Sequence, residues 1–120
     1  MTKPALLVHP PLGFFEARLV DYDVVHWPTD RKDVGAALTI GHVGISNAMI
    51  DALLELKCIV CFGVGVDGID LDYAKKRGIA RVGMKVFASG NLLRAHPGFT
   101  PLAPEDCLRF AFALDVSCTI

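Results

Sequence analysis

No apolar run in this chain is long enough to cross a membrane. Asp, Glu, Lys or Arg interrupts each one before about 18 residues. The opening MTKPALLVH also lacks the long apolar core of a secretory leader. An excess of one charge sign is missing too, since 12 Lys and Arg against 13 Asp and Glu leave a net charge of −1. Without a basic stripe there is no footprint for nucleic acid. A cytoplasmic protein with no membrane and no nucleic-acid partner is expected. There are no internal repeats and no low-complexity tracts. Cysteine is scarce, at four residues, and poorly placed for chemistry. Cys58 and Cys61 have C-x-x-C spacing inside an expected strand, where positions three apart face opposite sides of the sheet, so one metal ion cannot take both. Cys107 and Cys118 lie far away. Free buried thiols and no metal site are expected.

What is present is apolar and ordered by glycine. The hydrophobic fraction is 52% and the mean hydropathy +0.44, and 120 residues make one domain of ordinary size rather than two. The most informative stretch is residues 56–82, LKCIVCFGVGVDGIDLDYAKKRGIARV. Residues 57–62 form a short apolar run with β-branched members, as in a central parallel strand. Gly63, Gly65 and Gly68 then allow a sharp turn and a close approach to the main chain. Asp70 stands where a helix N-cap belongs, Asp72 lies in the first turn, Lys75, Lys76 and Arg77 lie in the last, and Gly78 supplies a left-handed stop. Cap, charge order and stop together predict a strand, a short helix and a second strand.

Gly63, Gly65 and Gly68 also match the dinucleotide fingerprint G-x-G-x-x-G, placed between a strand and a helix as that motif requires. Two features argue against it. Asp67 would put a carboxylate in the loop meant for a pyrophosphate, where like charges repel. No Asp or Glu occurs between Asp72 and Glu105, although the fingerprint wants one about 20 residues beyond its glycines. No dinucleotide cofactor is therefore expected to bind this chain.

The run GVGVDGIDL followed by AKKRGI resembles the substrate-domain signature of the D-isomer-specific 2-hydroxyacid dehydrogenases. The opening LLVHPP and the segment IDALLEL are most similar to the glyoxylate, hydroxypyruvate and hydroxyphenylpyruvate reductases of that family. The resemblance spans residues 4–80. It implies an α/β fold, a flavodoxin-like open parallel sheet of about five strands, and oxidoreductase chemistry on small 2-keto and 2-hydroxy acids with NAD or NADP. It further implies that main-chain amides of the glycine turn, at Val64 and Gly65 with Gly63 beside them, hold the substrate carboxylate. Successive N–H groups in such a turn form an anion-binding concavity without a basic side chain.

The remaining elements fit one sheet. Residues 5–9 read as a first strand, and residues 14–20 as a helix burying Phe14, Phe15, Leu19 and Val20 with Glu16 and Arg18 outward. Residues 23–27 form a second strand and residues 36–40 a third. Parallel neighbours need a crossover of about a dozen residues or more, and residues 28–35 are too few. Either these strands pair differently or the second sits at an edge. Ser46 caps a helix over residues 47–56 with Ile50, Leu53 and Leu54 on its apolar stripe. The preceding Gly41-His42-Val43-Gly44 loop should face the same edge as the glycine turn, with His42 able to donate to an acid. His9, at a strand's carboxyl end, and His26 are assigned no chemistry.

Beyond residue 80 the pattern changes. Residues 83–100 show no sustained period. Pro104, Glu105 and Asp106 suit a helix start, yet RFAFAL alternates as a strand does. The expected organisation is a partial substrate-binding domain over residues 1–82 and a divergent, irregular tail over residues 83–120, with the sequence after residue 81 read as a shifted frame or aberrant splice. The resemblance implies a catalytic arginine, glutamate and histidine that no residue here matches, Arg94 and His96 included. It also implies a Rossmann domain and a dimer interface, neither expected in these 120 residues. No catalytic residue is assigned. An inactive fragment is expected, and the alternative is a non-enzymatic module that binds a small carboxylate or docks on a relative.

Overall fold

The computed structural model describes residues 3–62, 68–83, 93–95, 97–98, 100–113 and 118–119. Its elements are β1 (Ala5–His9), α1 (Gly13–Glu16), β2 (Asp23–Val25), β3 (Val34–Ile40), α2 (Asn47–Ala52), β4 (Cys58–Phe62), α3 (Leu71–Lys76), β5 (Ala80–Gly83), α4 (Pro104–Ala113) and β6 (Cys118–Thr119). The strands form one sheet in the order β2-β1-β3-β4-β5-β6, with every pair parallel. The first five strands reproduce the doubly wound flavodoxin-like order, whose chain reverses direction across the sheet between β1 and β3. The sixth strand is a two-residue addition beyond the five expected.

Each face has its own apolar cluster. Leu7, Ala37, Ile59 and Cys61 pack on one side with Ile45, Met49, Ile50 and Leu53, and with Ala74 from α3. Leu6, Val8 and Leu38 pack on the other with Leu12, Phe15 and Leu19 from α1 and its flanks. The alternation along β4 places Cys61 in the first cluster and turns Cys58 to the opposite face, as strand geometry requires. Cys58, Cys61 and Cys107 form no disulfide. Burial pushes the Cys61 thiol up to about 11.

The short link from β2 to β3 is resolved by strand order. β2 is an edge strand paired with β1, and β3 lies on the far side of β1, so the two never pair. Residues 26–33 cross without a helix, and Val25 and Trp27 pack against the first cluster there. Arg31 fastens the link. Its Nε and Nη2 donate to Asp33 at 2.8 and 2.7 Å and its Nη1 to Asp23 at 2.9 Å. The Asp33 carboxyl is held below its usual range by the hydrogen bonds from Arg31. β3 takes up the remaining slack with a bulge, for the pairing slips between Ala5↔Val34 and Leu6↔Ala36.

Several expectations need correction. α1 is one turn long, and Val20 is 65% exposed instead of buried. Glu16 does not point outward: it accepts from the Leu12 amide at 2.6 Å and meets His26 Nε2 at 2.6 Å. α2 ends at Ala52, which takes Leu54 off the helical stripe and leaves it 68% exposed, while Leu53 stays buried at 2%. The tail contains a helix. Pro104 at its start needs no amide partner and Glu105 and Asp106 favour its positive end, and these signals outweigh the alternation of RFAFAL.

Neighbouring Leu53 and Leu54 therefore separate packing from hydrophobicity. Leu53→Ala should cost about 2 to 5 kcal/mol in urea unfolding, and Leu54→Ala less than about 0.5 kcal/mol.

Candidate functional site at the carboxyl edge of the sheet

Ligands of open α/β sheets gather beyond the carboxyl ends of the strands. At that edge the chain leaves β3 through residues 41–46 and β4 through residues 63–70. The first loop is held by its own backbone, with the amides of Val43 and Gly44 donating to the Ile40 carbonyl at 3.1 and 2.9 Å. Gly44 has a φ of 72°, which favours glycine. The two loops are then joined along a seam. The Gly68 amide donates to the Gly41 carbonyl at 2.8 Å, and Ile45 and Ile69 form a parallel bridge. Between these bonds Gly44 and Gly68 pack backbone against backbone. A Cβ on Gly44 would lie 1.9 Å from the Gly68 carbonyl oxygen, and one on Gly68 would lie 2.5 Å from the Gly44 Cα.

Both following helices start at this seam and both are capped as the sequence predicts. Ser46 Oγ accepts from the Met49 amide at 3.3 Å and Asp70 Oδ1 from the Tyr73 amide at 3.1 Å. Asn47 Nδ2 donates to Asp70 Oδ2 at 3.2 Å and ties one cap to the other. Further down, Asp51 accepts from the Tyr73 hydroxyl and from Arg77 Nη1, the latter at 2.6 Å, linking α2 to α3. The Tyr73 amide, then Asn47, then the charge of Lys76 hold the Asp70 carboxyl below its usual value of 3.8.

Ile45, Ser46, Asn47, Gly68, Ile69 and Asp70 line an open cleft of about 350 Å³. It is not itself an anion site. One amide of each helix start is taken by its own cap side chain, and Asp70 contributes negative charge, which repels a carboxylate. Of the residues singled out in the sequence, Gly63, Val64 and Gly65 lie outside the described residues. His42 lies on the exposed loop after β3, at the edge where β4 ends. Sequence reasoning passed over two residues at this edge. Asn47 carries no motif and is found through its bond to Asp70. Phe62 was counted only as the end of an apolar strand, yet it stands immediately before the glycine turn and its ring meets that of Phe15, with centroids 5.3 Å apart.

The seam makes two predictions. Gly68→Ala should destabilise the fold by more than about 2 kcal/mol, because the added carbon meets backbone that cannot step aside. Gly13→Ala, where a Cβ meets nothing within 4 Å, should stay within about 0.5 kcal/mol in the same denaturant series. Asp70 supplies a pH-dependent share of stability. Its folded pKa is depressed, so its contribution is complete above the usual value of 3.8 and is lost as pH falls through the lower folded value. Asp70→Asn should flatten that acid limb in thermal melts taken across it.

Comparison with known proteins gives this edge its context. The family model for the D-isomer specific 2-hydroxyacid dehydrogenase catalytic domain matches residues 20–85, more than half of the chain. A 2-hydroxyacid dehydrogenase from Ketogulonicigenium vulgare Y25 is similar at 30% identity and a TM-score of 0.59, over 68% of this chain and 29% of that one. Two more distant structures share the fold. An NADPH-dependent glyoxylate/hydroxypyruvate reductase from Sinorhizobium meliloti, in complex with citrate, has 21% identity and a TM-score of 0.60, over 98% of this chain and 53% of that one. A D-lactate dehydrogenase from Aquifex aeolicus, complexed with NAD and lactic acid, has 24% identity and a TM-score of 0.53, over 72% and 31%. No curated protein matches. The chain thus spans between 29% and 53% of the length of these three relatives. Among the described residues no helix is long and apolar enough to cross a membrane. On the family match and the parallel sheet and helices that the matched residues form, the chain belongs to the D-isomer-specific 2-hydroxyacid dehydrogenases.

Proposed function

We propose that this chain carries the substrate-holding part of a D-2-hydroxyacid dehydrogenase. In this reading the amides of Val64 and Gly65, with Gly63 leaving room for close approach, hold the carboxylate of a small 2-keto acid such as glyoxylate or hydroxypyruvate. His42 stands at the same edge and donates a hydrogen bond to the acid. The observation that supports it best is the seam at Gly44 and Gly68. It fixes Gly68, which follows residues 63–67 in the chain, against the loop that carries His42. Such preorganisation lowers the ordering cost of binding.

In intact relatives, hydride passes between the keto or hydroxy carbon and a nicotinamide cofactor, NAD or NADP. The protein's part in that chemistry is to orient the acid and to polarise and protonate its oxygen. The family's arginine, glutamate and histidine have no counterpart among the residues of this sequence, and residues 83–120 form a divergent tail outside the substrate-holding part. In this reading residues 1–82 bind the acid and do not by themselves turn it over, in a protein of the cytoplasm.

The purified 120-residue protein should give saturable heat with hydroxypyruvate or glyoxylate in titration calorimetry. It should oxidise neither NADH nor NADPH above blank when hydroxypyruvate is added. Absence of binding to both acids would sink the carboxylate reading, and spectrophotometric turnover would sink the inactivity.

A further inference from the structure

Three of the four histidines in the sequence stand at one edge of the sheet. His9 is the last residue of β1, His26 follows β2 directly, and His42 is the second residue after β3. β1 lies between β2 and β3 and all three run parallel, so their carboxyl ends come within about 10 Å of one another. His42 is exposed, His26 keeps 46% of its side chain open, and His9 is half-buried. The segments that continue these strands, residues 10–12, 26–29 and 41–46, contain no lysine or arginine. Imidazole is therefore their source of positive charge.

Charge at this edge follows pH. The acidic groups on the elements around the imidazoles are Glu16 of α1, which meets His26 Nε2 at 2.6 Å, and Asp70, across the seam from the loop that carries His42. Thr39, the partner of His9 in register on β3, is uncharged. With the imidazoles neutral, the two carboxyls make the edge negative, and a carboxylate is repelled. Imidazole takes up its proton as pH falls from about 8 to about 5, and the sign of the edge reverses when all three are charged. Their spacing is no greater than the screening length of about 10 Å at 0.1 M salt, so the three charges act together on one ligand. They also lie where ligands of open α/β sheets gather. We propose that His9, His26 and His42 make this edge a proton-gated anion site, which takes up a small 2-keto acid when they are charged and releases it when they are neutral. This rests on the reading of the edge as the place where the acid is held.

The test is the Kd of glyoxylate, an acid ionised throughout this range, for the 120-residue protein at about pH 5.5 and about pH 8. At low ionic strength, titration calorimetry should show binding about tenfold tighter at the lower pH, and about 0.5 M salt should reduce that ratio to about twofold. His9→Gln and His26→Gln cannot take up the charge, although the new amide can still donate to Glu16 in the second, and each should lower the ratio about twofold. His9→Lys is charged at both pH values and should instead tighten binding at about pH 8, which a purely structural histidine would not do. Circular dichroism melts identify the variants that remain folded. Equal affinity at the two pH values in the unmodified protein would overturn the gating and leave the carboxylate reading standing. An undiminished ratio in a folded variant with all three histidines changed to Gln would overturn it as well. Failure to bind glyoxylate at either pH would overturn both readings.

Discussion

The contact between Gly44 and Gly68 is the constraint on which the carboxyl edge depends. Residues 41–46 follow β3 and residues 68–70 lead into α3, and the two backbones touch at a point where neither residue can carry a side chain. The hydrogen bond from Gly68 to Gly41 and the bridge between Ile45 and Ile69 lie on the flanks of that contact. Remove the contact and both would have to lengthen together. The helix starts at Ser46 and Asp70 would then separate, along with the Asn47 bond between them. The third glycine of GVGVDG thus has a packing explanation that requires no phosphate. This agrees with the absence of an acidic residue where a ribose would need one.

Short helices make this coupling more important. α2 and α3 each span one and a half turns, too few residues to be stable by themselves. Their ends are supplied from outside. Side-chain caps serve the starts, Gly78 at a φ of 72° closes α3, and Asp51 joins the two helices through Tyr73 and Arg77. Met49, Ile50, Leu53 and Ala74 then supply the buried stripe that holds the pair on the sheet. Order at the edge is a property of the α2 and α3 pair rather than of either helix.

Much of this was legible in the sequence because local signals agreed. Asp70, Asp72, Lys75, Lys76 and Gly78 all specify the same short helix, and β1 was read to the residue. The flavodoxin-like order followed from the family resemblance, and the family match covers residues 20–85. What failed depended on tertiary contact. Glu16 has the composition of an outward residue but is drawn to the Leu12 amide and to His26. Leu54 continues an apolar period past the point where the helix stops. The conflict in RFAFAL could not be settled by period alone, since a helix start at Pro104 and a strand alternation coexist there. The ring contact of Phe62 with Phe15 joins residues 47 positions apart, which no window along the chain can reveal.

The helix-free passage from β2 to β3 has a consequence for the margin of the sheet. β2 contributes only three residues, and the guanidinium of Arg31 spans Asp23 at its start and Asp33 just before β3. An incoming strand seeking to extend the sheet there would find a short template surrounded by paired charge that it would have to desolvate. Natural sheets use such margins to resist edge-to-edge association. The clasp that lets the chain omit a helix thereby also protects it against self-assembly.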